Sequence, residues 1–261
     1  MSAQMKYVVL FAVTAVISAS MFIFSGPIPQ PVEYHNFADM RGWLGVPNFA
    51  DVASNLPFTL FGLYGLWVMG KCIAVTRSTG SWLHDARLPL VVFFIAIVFV
   101  GPGSAYYHLE PNHDTLFWDR VPIVAGFMAL TAAVIADRIS PRMGAHIALP
   151  ILVALGIALA LHWKLTDDLR AYVLVQIVPA LVIPLILWMW SNDASHGRVW
   201  ITWRMIIWAM VWYGLAKVTE FSDVELFHAL GETLSGHSIK HLLAAGVPLV
   251  VAISLDRRHQ H

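Results

Sequence analysis

Apolar runs long enough to cross a lipid bilayer follow one another along almost the whole chain. The hydrocarbon core of a membrane requires about 20 predominantly apolar residues per helix. We identify eight such runs, at approximately 7–25, 52–73, 88–108, 119–137, 145–162, 171–190, 200–217 and 237–255. Charged residues make up 12% of the sequence, about half of the roughly 25% that is usual in soluble domains. The pattern predicts an all-α integral membrane protein with eight transmembrane helices.

The charges between the runs alternate in sign and predict an orientation. One side carries ten basic and four acidic residues, whereas the other side carries six basic and twelve acidic residues. Because cytoplasmic loops are enriched in Lys and Arg, the first side is predicted to be cytoplasmic. Both termini then lie in the cytoplasm, as an even number of spans requires, and we expect a bacterial inner membrane. The formal net charge of zero gives no indication of nucleic-acid binding.

Polar and ionisable residues gather at the predicted periplasmic ends of several runs. The four stretches are "NFADVASNLPF" (48–58), "GSAYYHLEPNHDTLFWDR" (103–120), "KVTEFSDVELF" (217–227) and "SGHSIKH" (235–241). Ionisable groups within membrane helices are rare and usually face the interior of the bundle or a water-filled cavity. Since the predicted topology brings all four stretches to one depth, we expect them to line one shared polar pocket.

Three histidines in these stretches have the spacing of metal ligands. His237 and His241 are four residues apart and therefore lie on one face of a helix. His108 could supply a third imidazole from a different helix. Three histidines with an open fourth position are typical of a catalytic zinc site. A lone pair of histidines at this spacing is a weak signal, and two histidines from different helices could instead ligate a haem iron.

Ser104 and Asp119 are the candidate catalytic residues beside these histidines. Ser104 precedes His108 by four residues, so its hydroxyl lies one helical turn away and could donate to a developing oxyanion. Asp119 follows at the predicted start of the next helix, where it could transfer protons. Structural roles are also open: Ser104 could bond to its own helix backbone, and Asp119 could be a helix N-cap.

A structural role is the favoured interpretation for two further pairs of polar residues. Ser54 and Asn55 are expected to form hydrogen bonds between membrane helices. Lys217 and Glu220, three residues apart on one helix, are predicted to form an ion pair.

The order of these motifs and their local sequences resemble those of the alkaline ceramidase family. This family belongs to a superfamily of membrane hydrolases that also includes the progestin and adipoQ receptors. Ser-x-x-x-His at the end of one helix, Asp at the start of the next and His-x-x-x-His in the last helix carry the resemblance. "GPGSAYYH", "LFWDRVPI", "NFADVASNLPF" and "SGHSIKHLLAA" are similar to blocks of that family. The resemblance runs from about residue 34 to residue 255.

The resemblance implies a function, a cofactor and a fold. His108, His237 and His241 would bind zinc, Ser104 would hold the zinc site or stabilise the oxyanion, and Asp119 would be the proton shuttle. The reaction would be hydrolysis of the amide of a ceramide-like lipid to a long-chain base and a fatty acid. Alternatives are a receptor or sensor of the same superfamily with a structural zinc site, or a hydrolase of another lipid amide or ester.

The chain departs from the family in two respects. The family's bundle has seven helices, so residues 1–33 would form an additional N-terminal transmembrane helix and outer loop, and residues 34–261 the ceramidase-like domain. Some family members also bind calcium through an acidic cluster before the first helix. The oxygens available here belong to Glu33, Asp39, Asn48 and Asp51 and suit calcium, but their spacing differs, so we do not predict a calcium site.

Overall fold

The computed structural model describes residues 1–74, 81–191 and 199–259, which form helices and no strand. The α-helices are α1 (Ala3–Phe24), α2 (Phe49–Ala53), α3 (Leu56–Ala74), α4 (Arg87–Leu109), α5 (His113–Arg138), α6 (Leu149–Thr166), α7 (Leu169–Met189), α8 (Trp203–Phe221), α9 (Asp223–Ala229) and α10 (Gly236–His259). Short 3-10 helices cover Val32–His35 and Ser81–His84, and a π-helical turn, Met143–Ala148, leads into α6. The predicted all-α fold class is confirmed.

Seven helical segments of the described chain are long and apolar enough to cross a membrane, as an integral membrane protein requires. They are Ala3–Phe24, Phe49–Ala74, Arg87–Leu109, His113–Arg138, Met143–Thr166, Leu169–Met189 and Gly236–Arg257. The sequence predicted eight spans. The eighth, at 200–217, is helical as α8, but this helix is not among the seven. Its 19 residues include three charged side chains, Arg204, Lys217 and Glu220, which interrupt its apolar character.

The chain forms two compact units. The first unit comprises residues 1–30, 72–93 and 124–203, in which α7 packs against both α1 and α6. Asp168 is the N-cap of α7 and accepts hydrogen bonds from the backbone nitrogens of Ile28 (3.3 Å) and Arg170 (3.1 Å). The Arg170 guanidinium in turn donates to the Ser25 carbonyl oxygen over 2.8 Å. These contacts join the chain that leaves α1 to the start of α7.

The second unit comprises residues 31–71, 94–123 and 204–261. It contains α2, α3, α8, α9 and α10, together with the second half of α4 and the first part of α5. The Thr59 hydroxyl on α3 donates to the Val98 carbonyl oxygen on α4 over 3.2 Å, and Phe94 and Val100 are buried. All five predicted site residues lie in this unit. The predicted division of the chain at residue 33 stays a prediction.

Candidate metal centre

His108 lies in the last turn of α4, and only 1% of its surface is exposed. The Asn48 amide nitrogen donates to the His108 backbone carbonyl oxygen over 2.8 Å and so fixes the end of the helix. Asn48 adopts a left-handed backbone conformation, which Asn tolerates better than most residues. Within the described part of the chain, the His108 Nδ1 atom has no hydrogen-bond partner. Because buried polar atoms nearly always have a partner, this nitrogen points to a ligand.

A glycine, Gly236, allows the first turn of α10 to pack closely against α8 and α9. A Cβ atom on Gly236 would lie 2.4 Å from the Thr219 carbonyl oxygen and 2.7 Å from the Asp223 Cα atom, so no larger residue fits without a shift. The close approach allows the Asp223 carboxylate to accept a hydrogen bond from the His237 backbone nitrogen over 2.7 Å. This contact satisfies one of the free N–H groups at the helix start and fixes the position of His237.

The two helix ends bring three histidines together. The ring centroids lie 5.0 Å apart for His108 and His237, 4.9 Å for His108 and His241, and 4.8 Å for His237 and His241. One nitrogen from each ring can be chosen so that the three atoms all lie within 4.8 Å of one another, and all three residues are buried. Three imidazoles that converge from two helices, one with an unpaired buried nitrogen, fit a metal ion with an open fourth position.

A second set of contacts orients His241. Its Nδ1 atom lies 2.8 Å from the Ser54 hydroxyl, which itself donates to the Asp51 backbone carbonyl oxygen over 3.0 Å. The Asn55 amide donates to the same carbonyl oxygen over 2.7 Å. With the Ser54 oxygen accepting from Nδ1–H, the other ring nitrogen of His241 is left for a metal ion. The predicted hydrogen bonding of Ser54 between membrane helices is therefore confirmed, and its partner is a candidate ligand.

The Asp51 side chain anchors the same helix end. Its Oδ1 atom accepts hydrogen bonds from the Ser235 hydroxyl (3.3 Å) and the Ser238 hydroxyl. The Ser235 hydroxyl oxygen also accepts from the Ser238 backbone nitrogen over 3.0 Å, which makes Ser235 the N-cap of α10. Asp51 is fully buried, and its Oδ2 atom has no hydrogen-bond partner among the described residues. Asp51 thus holds α2 against the start of the helix that carries two of the histidines.

The helix that carries Asp119 begins earlier than predicted. We expected this helix to start at residue 119, but α5 starts at His113. The Asn112 side-chain oxygen accepts hydrogen bonds from the backbone nitrogens of Asp114 (2.9 Å) and Thr115 (3.0 Å), which is the contact pattern of an N-cap. The interpretation of Asp119 as an N-cap is therefore wrong, because Asp119 lies more than one turn inside the helix.

Ser104 and Asp119 lie where α4 and α5 cross closely. A Cβ atom on Gly103 would lie 2.6 Å from the Trp118 carbonyl oxygen, and these two residues directly precede Ser104 and Asp119. The structure therefore brings together one helix turn carrying Ser104 and His108 and the neighbouring turn of α5 carrying Asp119.

Residues 32–41, here termed the covering segment, lie over the histidines. The Phe37 ring centroid lies 4.6 Å from that of His108 and 4.5 Å from that of His237. The next residue, Ala38, donates its backbone N–H to the Asp223 carboxylate over 3.0 Å. Asp223 therefore fixes both the covering segment and the start of α10. Phe37 could not be identified from the sequence, because its role depends on contacts with residues far away in the chain.

The covering segment is also held at its other end. His35 Nδ1 lies 2.8 Å from the Tyr107 hydroxyl, and His35 Nε2 lies 2.9 Å from His113 Nδ1. Burial lowers the pKa of His35, and the neighbouring His113 and Arg120 lower it further. A neutral His35 can donate from one ring nitrogen and accept at the other, which is compatible with both contacts.

The oxygens that we considered for calcium have other contacts. Asp39 forms a two-point ion pair with Arg41, with nitrogen–oxygen distances of 2.7 and 2.8 Å. Hydrogen bonds from Arg41 lower the pKa of Asp39. The side chains of Asn48 and Asp51 bond to the His108 carbonyl oxygen and to the serines of α10, as described above. Within the described chain, the group of potential metal ligands is the histidine triad.

A lysine that the sequence did not single out lies beside the triad. Lys240 Nζ is 3.3 Å from His237 Nε2 and forms an ion pair with Glu220 Oε1 over 2.9 Å. The predicted ion pair between Lys217 and Glu220 is confirmed, with a distance of 2.7 Å. The Tyr34 hydroxyl also donates to Glu220, over 3.3 Å. The spacing of three residues between His237 and Lys240 was the available signal, since it places both on one face of α10.

No protein-family model matches the chain. The chain is similar to a Dictyostelium discoideum protein named "Putative alkaline ceramidase dcd3A", with 28% identity over 83 residues. The aligned region covers 30% of this chain and 29% of that relative, so the similarity spans less than a third of either protein.

Proposed function

We propose that this protein is a zinc-dependent membrane hydrolase that cleaves the amide of ceramide or a ceramide-like lipid to a long-chain base and a fatty acid. The observation that carries the proposal is the convergence of three buried histidines near the close crossing of α4 and α5 that carries Ser104 and Asp119. The similarity to a protein named as a ceramidase supports the choice of a lipid amide as substrate. The chain's membrane helices suit a lipid that stays in the bilayer.

Each residue has a defined task in this proposal. His108, His237 and His241 hold the zinc ion, and Ser54 orients His241. Zinc in such a site lowers the pKa of water to about 7 and polarises a carbonyl group. Asp119 accepts a proton from the attacking water and passes it to the leaving amine nitrogen.

Ser104 has a position from which it can stabilise an oxyanion. It lies one helical turn from His108, from where it can donate to the oxyanion that develops on the carbonyl oxygen of the substrate.

We further propose the topology in which this chemistry takes place. α8 would be the eighth span, both termini would be cytoplasmic, and the triad would lie toward the periplasmic side of a bacterial inner membrane. The charge asymmetry between the loops supports this orientation.

The proposal is tested with purified protein and short-chain fluorescent ceramides. We expect about one zinc ion per chain by elemental analysis and the release of fatty acid in the lipid assay. The variant D119N should keep its zinc but lose turnover by about 10²–10⁴-fold, because it removes proton transfer without removing a ligand. Turnover at the wild-type rate in D119N would exclude Asp119 from the mechanism.

The burial of the three histidines under Phe37 favours a second candidate function. Structural zinc sites are closed, whereas catalytic sites keep an accessible position. A receptor or sensor with a structural zinc site would bind zinc at full stoichiometry and release no fatty acid from any lipid amide or ester. Hydrolysis of an ester or of a different lipid amide would retain the mechanism and change the substrate. A Soret absorption band in the purified protein would indicate haem instead of zinc.

A further inference from the structure

Lys240 places a positive charge inside a candidate membrane span, on the face of α10 that carries the histidines. It lies within the segment Gly236–Arg257, and its Nζ atom is 3.3 Å from His237 Nε2. The side chain keeps 20% of its surface exposed. Charged residues are costly within membrane helices and usually mark functional positions. The ammonium group therefore lies beside the histidine triad and is partly exposed.

The carboxylate that pairs with Lys240 also pairs with a second lysine. Glu220 pairs with Lys240 through one carboxylate oxygen (2.9 Å) and with Lys217 through the other (2.7 Å). The Tyr34 hydroxyl donates to the oxygen that Lys240 contacts. Two ammonium groups thus share one carboxylate. Lys217 already provides Glu220 with an ion pair within one helix, so the pairing of Glu220 does not require a second lysine.

The contacts of Lys240 leave room for an anionic ligand. An ammonium group has three N–H donors, of which one contacts Glu220 and one contacts His237. Lys240 also interacts electrostatically with Asp119, the proposed proton shuttle. A substrate whose amide lies between the histidines and Asp119 would therefore hold its neighbouring groups within reach of Lys240.

We propose that Lys240 is a specificity-determining residue that selects lipid amides with an anionic group, a carboxylate or a phosphate, close to the amide. The inference rests on the proposed function and narrows its substrate class, ceramide-like lipids, to those that carry an anionic group close to the amide. Hydrogen bonds between charged groups are stronger than neutral ones.

The test uses pairs of lipids that differ in a single charged group. N-oleoylglycine and N-oleoylethanolamine share the acyl chain and the amide, and differ only in a carboxylate in place of a hydroxymethyl group. We expect the wild-type protein in detergent to bind N-oleoylglycine about 10-fold or more tightly, as measured by thermophoresis. K240Q should reduce this preference to near unity, and K240R should retain most of it. K217Q is the matched control. It removes the other lysine that pairs with Glu220 and leaves Lys240 in place, so the preference should be kept.

A second pair, ceramide 1-phosphate and ceramide, distinguishes the source of the charge. A preference in this pair alone identifies a phosphate as the group that is recognised, and a preference in the first pair alone identifies a carboxylate. Equal binding of both members in both pairs by the wild-type protein would overturn the inference, even if K240Q failed to fold. An unchanged preference in K240Q, or a loss in K217Q equal to that in K240Q, would remove the assignment to Lys240.

The release of oleate is measured in parallel, so that this inference and the proposed function fail separately. A charge preference that depends on Lys240 without any release of oleate supports the inference and contradicts the hydrolase. Equal rates of oleate release from both members of the first pair, in wild type and in K240Q, support the hydrolase and contradict the inference.

Discussion

Asp137 in the first unit and Asp51 in the second unit differ in how completely their side chains are paired. Asp137 accepts hydrogen bonds from the backbone nitrogens of Trp200 (2.7 Å) and Ile201 (3.2 Å) and from the Arg138 guanidinium (3.1 Å), so that both of its oxygens are used. One oxygen of Asp51 accepts hydrogen bonds from two serine hydroxyls, and the other has no partner among the described residues. A buried polar atom without a protein partner is unusual, and it lies here in the unit that carries the histidine triad.

The histidines show the same difference. His84 and His146 in the first unit are both exposed and bond to each other over 2.7 Å. The triad of the second unit is buried, and His108 Nδ1 has no partner among the described residues. Only the buried set has the number and convergence of nitrogens that a zinc ion requires.

The largest effect is expected when the two sets of histidines are removed in turn. We predict that H237A/H241A lowers zinc from about one ion per chain to below about 0.1, because a single imidazole cannot hold the ion. The matched control H84A/H146A removes two histidines from the first unit and should leave the zinc content unchanged. Elemental analysis of the purified variants makes the measurement. Zinc at full stoichiometry in H237A/H241A, or loss of zinc in the control, would contradict the assignment of the zinc site to the histidines of the second unit.

An intermediate effect is expected from Ser54. We predict that S54A weakens zinc binding by about 10–100-fold, because His241 loses the acceptor that fixes its orientation. Thr131 in the first unit is the matched control, since both side chains are buried hydroxyls with 7% exposure, and the Thr131 hydroxyl bonds to the Phe127 carbonyl oxygen of its own helix. Competition with a chromogenic chelator measures both affinities. Equal affinities in S54A and T131A would show that Ser54 has no role in positioning the ligand.

The smallest effect is expected in the first unit, where Asp168 has a purely structural role. Hydrogen bonds from Arg170 lower the pKa of Asp168 to about 2, below the value of about 3.9 that an unfolded chain has. Its stabilisation is therefore complete above about pH 4 and is lost as the pH falls toward 2. We predict that D168N lowers the free energy of unfolding at pH 7 by about 1–2 kcal/mol, or the melting temperature by roughly 2–8 °C.

Thermal unfolding of D168N and the wild type across pH 2–7 checks the sign. The difference between the two proteins should be constant from pH 7 to about 5 and should shrink below about pH 4. D85N is the control and should have a smaller effect, because the Asp85 side chain is 25% exposed compared with 10% for Asp168. A difference that grows on acidification would contradict the assigned role.

The elements that periodicity and hydropathy determine could be predicted from the sequence. Each of the eight apolar runs is a helix in the structure, and the spacing of four residues correctly placed His237 and His241 on one face of α10. The start of α5 was predicted six residues too late, because the prediction followed the apolar run and left out the polar residues before it. Asn112 is a good N-cap, and this was the local signal that the prediction missed.

The residues that support the site could not be predicted in the same way. Ser54 and His241 are 187 positions apart, and a hydrogen bond across that separation depends on how the helices pack. Phe37 and Lys240 likewise have roles only in the folded protein, where one covers the histidines and the other lies beside them. Sequence spacing identifies ligands within a single helix, whereas their neighbours from other helices are set by tertiary contacts.

The packing of Phe37 on His108 and His237 has a kinetic consequence. His108, His237 and His241 are only 1%, 4% and 3% exposed, so we expect a metal ion bound by them to exchange slowly until residues 32–41 move. The rate of metal removal would then depend little on the concentration of a chelator. Preparation of a metal-free protein would require conditions that loosen the covering segment.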